Sequence, residues 1–175
     1  PVLRHRKPNV GRGFPAATPQ DSDEFDAARL GPQWQWHANP DARWAFPFPG
    51  AGVLRMFSVE KPAGYKNLWD LPNLLLQKLP AEEFTATARV KVQPRFEGER
   101  FGLVVMGLDY SMAAVTFRQG RLYISQVGST DADKGSPESE TAVHALSAND
   151  LYLRVTVGRN AVCSFSVSTD GNAFA

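Results

Sequence analysis

Apolar and polar side chains alternate residue by residue in short runs that fill most of the chain after residue 80. In residues 151–157, four aliphatic side chains alternate with a tyrosine, an arginine and a threonine. Successive side chains of a β-strand point to opposite faces, so a period of two predicts strands with one buried face.

Six such runs recur at spacings of about ten residues, separated by turn sequences such as RQGR and VGRN. This recurrence predicts an all-β fold, an antiparallel sandwich of two sheets. The runs are 84–92, 100–108, 112–120, 121–127, 151–157 and 161–168. The side chains that we expect to be buried are Phe84, Ala86, Val90, Leu103, Val105, Leu153 and Val155.

Prolines leave little room for helices. The stretch 71–84, LPNLLLQKLPAEEF, has apolar content but carries Pro72 and Pro80, and a proline inside a helix removes a backbone donor and clashes with the preceding turn. We therefore expect no more than a turn or two of helix there. The run 128–140, GSTDADKGSPESE, is polar throughout and predicts a surface loop, with disorder as one option.

The composition divides the chain at about residue 20. Residues 1–20 hold three prolines after Pro1 and two glycines, which is typical of an extended connector. Residues 21–175 are long enough for one sizeable domain, which we assign to the β-sandwich. Because the sequence begins and ends abruptly, we expect it to be a piece of a longer protein.

Charge and hydropathy argue against two classes of partner. The net charge is +1 and there is no long basic run, whereas nucleic-acid binding needs lysines and arginines clustered on one face. No apolar run approaches the roughly 18 residues of a membrane helix. No signal peptide opens the sequence, and periplasmic, extracellular and cytoplasmic locations in a bacterium all stay open.

The sequence shows no catalytic constellation. Glycoside-cleaving sandwiches carry two carboxylates at fixed spacing on one strand, and a pattern of the type E-x-D-x-x-E is absent. The acidic cluster Asp21, Asp23, Glu24 and Asp26 stands at the start of the domain, where plain solvation is favoured over a structural calcium site that would need oxygens from elsewhere. The histidines are not spaced for zinc, so we predict no catalytic residue and no cofactor, with structural calcium left open.

Residues 30–40, LGPQWQWHANP, predict a strand with two different faces. Trp34 and Trp36 would lie on one face and pack into the core or a domain interface, as large aromatics in an alternating strand usually do. The opposite face would present a row of hydrogen-bond donors and acceptors to a polar ligand or a partner. The residues of that row are Gln33, Gln35, His37 and Asn39.

Two further tryptophans, Trp44 and Trp69, lie in more loop-like surroundings. Sugar rings stack on indole faces while amide side chains fix the hydroxyl groups, so both tryptophans are candidates for a stacking platform. Burial in the core is an equally good interpretation. Together with the polar row, they complete the predicted carbohydrate site: Gln33, Gln35, His37, Asn39, Trp44 and Trp69.

Four segments carry a resemblance to a known family: SDEFD followed by LGPQWQWHANP, NLLLQKLPAEEFTATARVKVQP, GERFGLVVMGLDYSMAAVTF, and LYLRVTVGRNAVCSFSVSTDGNAF. Together they resemble the C-terminal concanavalin A-like jelly roll of glycoside hydrolase family 43, whose members are β-xylosidases and α-L-arabinofuranosidases. The opening PVLRHRKPNVG is similar to the connector that leaves the five-bladed propeller catalytic domain of those enzymes.

The resemblance implies a non-catalytic module whose partners are the propeller domain and xylan or xylo-oligosaccharides. In the family the sandwich packs against the propeller, and a late segment of it helps to close the active-site pocket. The family continues with further strands beyond DGNAFA, so we expect the last strands to be missing from this sequence, and we assign no pocket residue. Three hypotheses follow: a sugar-binding or active-site-shaping module, a purely structural domain that stabilises the propeller, and an independent lectin, which the connector disfavours.

Overall fold

The fold is an all-β sandwich built from antiparallel sheets. The computed structural model describes residues 11–13, 15, 18 and 20–175, so most of the predicted connector at 1–20 lies outside the described residues. The described part of the chain contains eleven strands, four short 3₁₀ turns and no α-helix. The strands are β1 (Gln35–Trp36), β2 (Ala45–Phe48), β3 (Val53–Met56), β4 (Leu75–Leu76), β5 (Phe84–Lys91), β6 (Arg100–Met106), β7 (Tyr110–Arg118), β8 (Arg121–Ser129), β9 (Ser139–Leu146), β10 (Asp150–Val157) and β11 (Cys163–Ser168).

The larger sheet is an antiparallel meander in the order β6-β7-β8-β9. Strands β7 and β8 are joined by a two-residue turn in which Gln119 and Gly120 both have positive φ angles, of 51° and 75°. Two successive positive φ angles match the right-handed twist of the flanking strands, which is why such turns make tight hairpins. The turn therefore fixes the register that places Thr116 opposite Tyr123.

The second sheet has the order β11-β10-β5 and packs face to face against the larger one. Leu151 and Leu153 of β10 lie in one apolar cluster with Val115 of β7 and Ile124 of β8. Leu153 is 0% exposed, and its burial stabilises the fold by removing apolar surface from water.

The other face of the larger sheet carries a second apolar cluster. Tyr110, Met112 and Val127 of that face pack against Leu68, which lies in a 3₁₀ turn at Leu68–Asp70. Ala132, in the loop between β8 and β9, joins the same cluster. The segment before β5 thus covers part of the larger sheet as an additional layer.

Most of the sequence predictions for the fold are confirmed. All six alternating runs form strands, and Leu153 and Val155 are buried as expected. The other five residues expected to be buried are only half-buried: Phe84, Ala86, Val90, Leu103 and Val105.

The prediction of one polar loop over 128–140 is wrong at both ends. Strand β8 continues to Ser129, and β9 begins at Ser139. Strand β9 was not predicted at all, because it lies at the edge of its sheet and is exposed on both faces, so it shows no alternation of apolar and polar residues. The remaining loop, residues 130–138, is held to the domain by Asn67, which donates hydrogen bonds to the carbonyl oxygens of Ala132 and Ser136 at 2.9 and 2.7 Å.

Candidate functional site

The predicted two-faced strand over 30–40 is mostly absent. Only Gln35 and Trp36 are paired as a strand, with Leu76 and Leu75 of β4. Upstream of them the chain turns, with the Trp34 amide donating to the carbonyl oxygen of Gly31 at 3.2 Å. A turn at this point breaks the alternation on which the two-faced strand depended.

The neighbours Gln33 and Trp34 converge on one carboxylate instead of pointing to opposite faces. Gln33 Nε2 and Trp34 Nε1 both donate to Asp23 Oδ2, at 3.1 and 2.7 Å. The Phe25 amide donates to Asp23 Oδ1 at 2.8 Å. Asp23 therefore anchors the start of the domain. Among the residues that the structure describes, no group of three or more His, Cys, Asp or Glu side chains could hold a metal ion.

The tryptophans of the opening segment pack on other aromatic rings at the surface. Trp34 stacks on Phe25 with ring centroids 5.7 Å apart, and Trp36 meets Trp44 edge to face at 5.3 Å. All of these rings are half-buried. Trp44 is therefore a partner of another indole, which leaves only part of its ring surface open to a sugar.

His37 and Trp69 are brought together by the structure. Their rings are in edge contact at 5.3 Å, and His37 Nε2 lies 3.1 Å from the carbonyl oxygen of Trp69, so this nitrogen is the donor. Trp69 also packs against the cluster around Leu68 and Met112, and its indole Nε1 is buried without a hydrogen-bond partner among the described residues. Trp69 thus belongs more to the core than to the surface.

The residues of the predicted carbohydrate site make several separate contacts. Gln33 is engaged by Asp23, His37 and Trp69 form one contact, and Trp44 forms another with Trp36. Gln35 and Asn39 are exposed. The carbohydrate site at these residues stays a prediction.

An exposed apolar patch lies beside these residues, on the hairpin formed by β2 and β3. Four large hydrophobic side chains share one face of the hairpin and are each 41–49% exposed. We call this the hairpin patch: Phe46, Phe48, Val53 and Phe57. Met56 is paired with Ala45 and points to the other face of the hairpin. Phe46 and Phe57 meet edge to face at 5.8 Å, and the guanidinium of Arg55 lies over the Phe57 ring at 5.4 Å. The sequence AFPF and VLRMF carried the signal, as apolar runs in an otherwise alternating chain.

The hairpin is attached to the domain at its base and at its turn. At the base, the Phe57 amide donates to the carbonyl oxygen of Trp44 at 2.9 Å, and Asn73 Nδ2 donates to that of Phe57 at 3.1 Å. At the turn, Gly52 has a φ of 58°, and a Cβ there would lie 3.1 Å from the Glu24 carbonyl oxygen. The tip of the hairpin therefore touches the segment by which the chain enters the domain.

A half-buried ion pair lies on the larger sheet, where the loop before β9 meets it. Arg100 Nη2 and Glu138 Oε1 are 2.8 Å apart, and a second bond joins Nη1 to Oε2 at 3.0 Å. Tyr110 also donates to Glu138, and Arg100 Nη2 donates to the Tyr65 hydroxyl at 3.0 Å. Burial by itself would raise the pKa of Glu138, but the hydrogen bonds from Arg100 and Tyr110 outweigh it and hold that pKa below its ordinary value. Burial, together with the bond to Glu138, raises the pKa of Tyr110 well above its ordinary value.

The comparisons with known proteins agree on one family. Residues 22–175 match the family described as the beta xylosidase C-terminal concanavalin A-like domain. A curated relative, the beta-xylosidase of Formosa agariphila, is 25% identical over 193 residues, covering 99% of this chain and 31% of the relative. No helix in the described residues is long and apolar enough to cross a membrane.

Two solved structures share the fold. A bifunctional GH43-CE protein of Bacteroides eggerthii has a TM-score of 0.76 and 22% identity, over 87% of this chain and 20% of its own. A mutant of the GH43 protein BlXynB from Bacillus licheniformis has a TM-score of 0.74 and 20% identity, over 93% of this chain and 31% of its own. The chain thus spans less than a third of each of these relatives. The match over residues 22–175 makes the assignment: the chain belongs to the family of β-xylosidase C-terminal concanavalin A-like domains.

Proposed function

We propose that this chain is a non-catalytic accessory domain of a family 43 glycoside hydrolase, and that the hairpin patch docks it onto the five-bladed propeller catalytic domain. The observation that carries the proposal is the hairpin patch itself. Two-stranded hairpins are marginally stable in water unless they pack against something, and β2 and β3 pair only with each other among the described strands.

The composition of the patch is that of a protein interface. Contiguous exposed apolar surface on a soluble protein marks an interaction site, and interface centres are enriched in aromatic residues, methionine and arginine. Three phenylalanines and a valine form the patch, and the Arg55 guanidinium lies over the Phe57 ring.

The position of the hairpin favours a partner that precedes the domain in the polypeptide. The turn at Gly52 lies against Glu24, so a domain attached through the opening segment would emerge next to the patch. The relatives are GH43 or β-xylosidase proteins that are several times longer than the matched region, which supplies room for such a domain.

Sugar recognition is a second part of the proposal. An accessory domain of a family 43 enzyme would bind xylan or xylo-oligosaccharides, or shape the active site of the propeller. The side chains of Gln35 and Asn39 are exposed and lie within three residues of Trp36 in the sequence, and Trp36 packs on Trp44. Exposed amides and aromatic rings are the groups that recognise sugars, which favours such a role. The alternative is a purely structural domain that stabilises the propeller.

Docking is tested by mixing the chain with the propeller domain of its own polypeptide, supplied as a separate protein, and following association by analytical ultracentrifugation. Phe48→Ser should weaken association about tenfold, because truncating an aromatic residue at the centre of an interface costs more than about 1 kcal/mol when that residue is a hot spot. Val162→Ser is the matched control: Val162 is 65% exposed but lies between β10 and β11, away from the patch. Equal association of wild type and Phe48→Ser, or none by the wild type, contradicts docking through the hairpin.

A further inference from the structure

The larger and the second sheet end in four edge strands among the described residues, and three of these strands are protected against pairing with a further strand. Strand β9 is bulged against β8, where Ala142 has a φ of 51°. Strand β5 carries exposed charges at Arg89 and Lys91. Strand β11 is already covered near its end, because Val167 and Ala175 exchange two backbone hydrogen bonds at 2.9 and 3.0 Å. Bulges, charged side chains and covering segments are common protections of sheet edges.

The fourth edge strand, β6, has none of these protections. It pairs with β7 along its whole length without a shift of register, and after Arg100 it contains no charged residue. Both of its faces are apolar: Leu103 packs into the cluster between the sheets, and Val104 and Met106 pack into the cluster on the other face. A flat, apolar edge strand of this kind is a template for pairing with another strand.

The register shows which backbone groups of β6 point away from β7. The Phe117 amide donates to the carbonyl oxygen of Glu99 at 3.0 Å, and in an antiparallel pair every second residue bonds to the neighbouring strand. The residues of β6 whose amide and carbonyl groups point outward are therefore Arg100, Gly102, Val104 and Met106. Within the described part of the chain no other backbone group bonds to them, and Gly102 is exposed.

The second sheet extends past this edge. Strands β10 and β11 lie opposite β6 and β7, so β5, on the far side of β10, overhangs the edge of the larger sheet. Phe84 and Ala86 of β5 face inward and are only half-buried, whereas their partners in register on β10, Val157 and Val155, are each 2% exposed. A strand added beside β6 would lie beneath β5 and cover Phe84 and Ala86.

We infer that the β6 edge pairs with one extended strand, which comes from a part of the same polypeptide outside these 175 residues. The relatives are more than three times as long as the matched region, which supplies such a segment. A second copy of this chain does not fit through its own β6, because β5 of each copy would occupy the layer that β10 of the other copy fills. The strand needs apolar side chains at alternate positions, since one of its faces lies against β5.

The test is hydrogen exchange of the parent polypeptide and of the 175-residue chain, resolved to single residues by mass spectrometry with electron-transfer fragmentation. The outward amides of Gly102 and Val104 should exchange about a hundredfold more slowly in the parent. The Leu103 amide, which points to β7, should be protected in both proteins and is the internal control. Equal exchange of the outward amides in the two proteins overturns the inference. Protection in the 175-residue chain that grows with its concentration assigns the edge to a second copy and also overturns it.

Val104→Pro separates strand pairing from simple coverage by a docked domain. Proline removes the outward N–H, which an unpaired edge tolerates and a paired edge does not. Val104→Ala is the matched control, because it shortens the same side chain and keeps the N–H. The difference in thermal midpoint between the two variants should be about 3 °C wider in the parent than in the 175-residue chain.

A difference of equal width in both proteins, even with slowed exchange in the parent, assigns the protection to a docked domain and contradicts strand pairing. The hairpin patch takes no part in this pairing. Failure here therefore leaves the docking proposal standing, and failure of docking leaves this inference standing.

Discussion

At the scale of single residues, burial and hydrogen bonding decide which side chains matter for stability. Leu153 lies fully inside the core between the sheets, whereas Val162 is 65% exposed at a strand connection. Leu153→Ala should lower the free energy of unfolding by about 2–5 kcal/mol, since it removes buried methyl groups and leaves a cavity. Val162→Ala should change it by less than about 0.5 kcal/mol. Urea denaturation of both variants measures the difference, and similar midpoints would contradict the assigned core.

Glu138 should make stability depend on pH. Its folded-state pKa is lower than its ordinary value, so its contribution is present above the ordinary pKa and is lost as the pH falls through the folded-state pKa. Glu138→Gln should therefore flatten the loss of stability below about pH 5. It should also cost roughly 3 kcal/mol at neutral pH, because Arg100 is left half-buried without its partner.

The matched control for this titration is Glu83→Gln. Glu83 pairs with Arg159 at 2.9 Å, but both side chains are largely exposed, and such pairs contribute about 0–1 kcal/mol. Unfolding free energies measured from pH 3 to 7 compare the two variants. A pH profile of Glu138→Gln that overlays the wild type shows that the ion pair with Arg100 is not the source of the acid sensitivity.

At the scale of elements, the loop between β8 and β9 depends on one side chain from a distant segment. Asn67 is 0% exposed and bonds to the carbonyl oxygens of Ala132 and Ser136, while its Oδ1 accepts from the Trp69 amide at 2.9 Å. Asn67→Ala should cost about 1–3 kcal/mol and speed hydrogen exchange in residues 131–136. Asn73→Ala, which removes one exposed bond to Phe57, should leave that exchange unchanged. Equal protection in both variants would show that other contacts hold the loop.

Strands whose sequence alternates apolar and polar residues were predictable, and strands whose sequence does not alternate were not. In β10 the apolar residues are buried on one side and Tyr152 and Arg154 lie on the other, so the period of two is visible in the sequence. Strand β9 exposes both faces, so burial imposes no alternation on it. The β2–β3 hairpin has one half-buried face, but its exposed face is apolar as well, so its sequence does not alternate either. The strand predicted over residues 30–40 is mostly absent for another reason. The tight turn at Gly31 and the hydrogen bonds to the Asp23 carboxylate override the alternation of residues in the sequence. Contacts between residues distant in sequence cannot be read from spacing.

At the scale of the whole molecule, the candidate site was less predictable than the fold. The family resemblance and the sandwich are confirmed by the match over residues 22–175. The carbohydrate site predicted at the opening segment stays a prediction, and its residues fall into separate contacts. The ion pair between Arg100 and Glu138 carries no local signature, because it joins residues that are far apart in the sequence.

The proposed role as an accessory domain predicts that the chain alone has no glycosidase activity. Cleavage of a glycosidic bond needs one carboxyl group held protonated by a raised pKa, opposite a second that is ionised. Every carboxyl group of the described residues whose pKa is resolved as shifted has it lowered, by hydrogen bonds or ion pairs that favour the ionised form; these groups are Asp41, Glu99, Glu138, Glu140, Asp150 and Asp170. On the proposed role, the purified chain should release no nitrophenol from an aryl β-xyloside at any pH between about 4 and 8, whereas a β-xylosidase with its propeller domain, assayed in parallel, should. Turnover that co-purifies with the chain and disappears in Glu138→Gln or Glu140→Gln would contradict the assignment as an accessory domain.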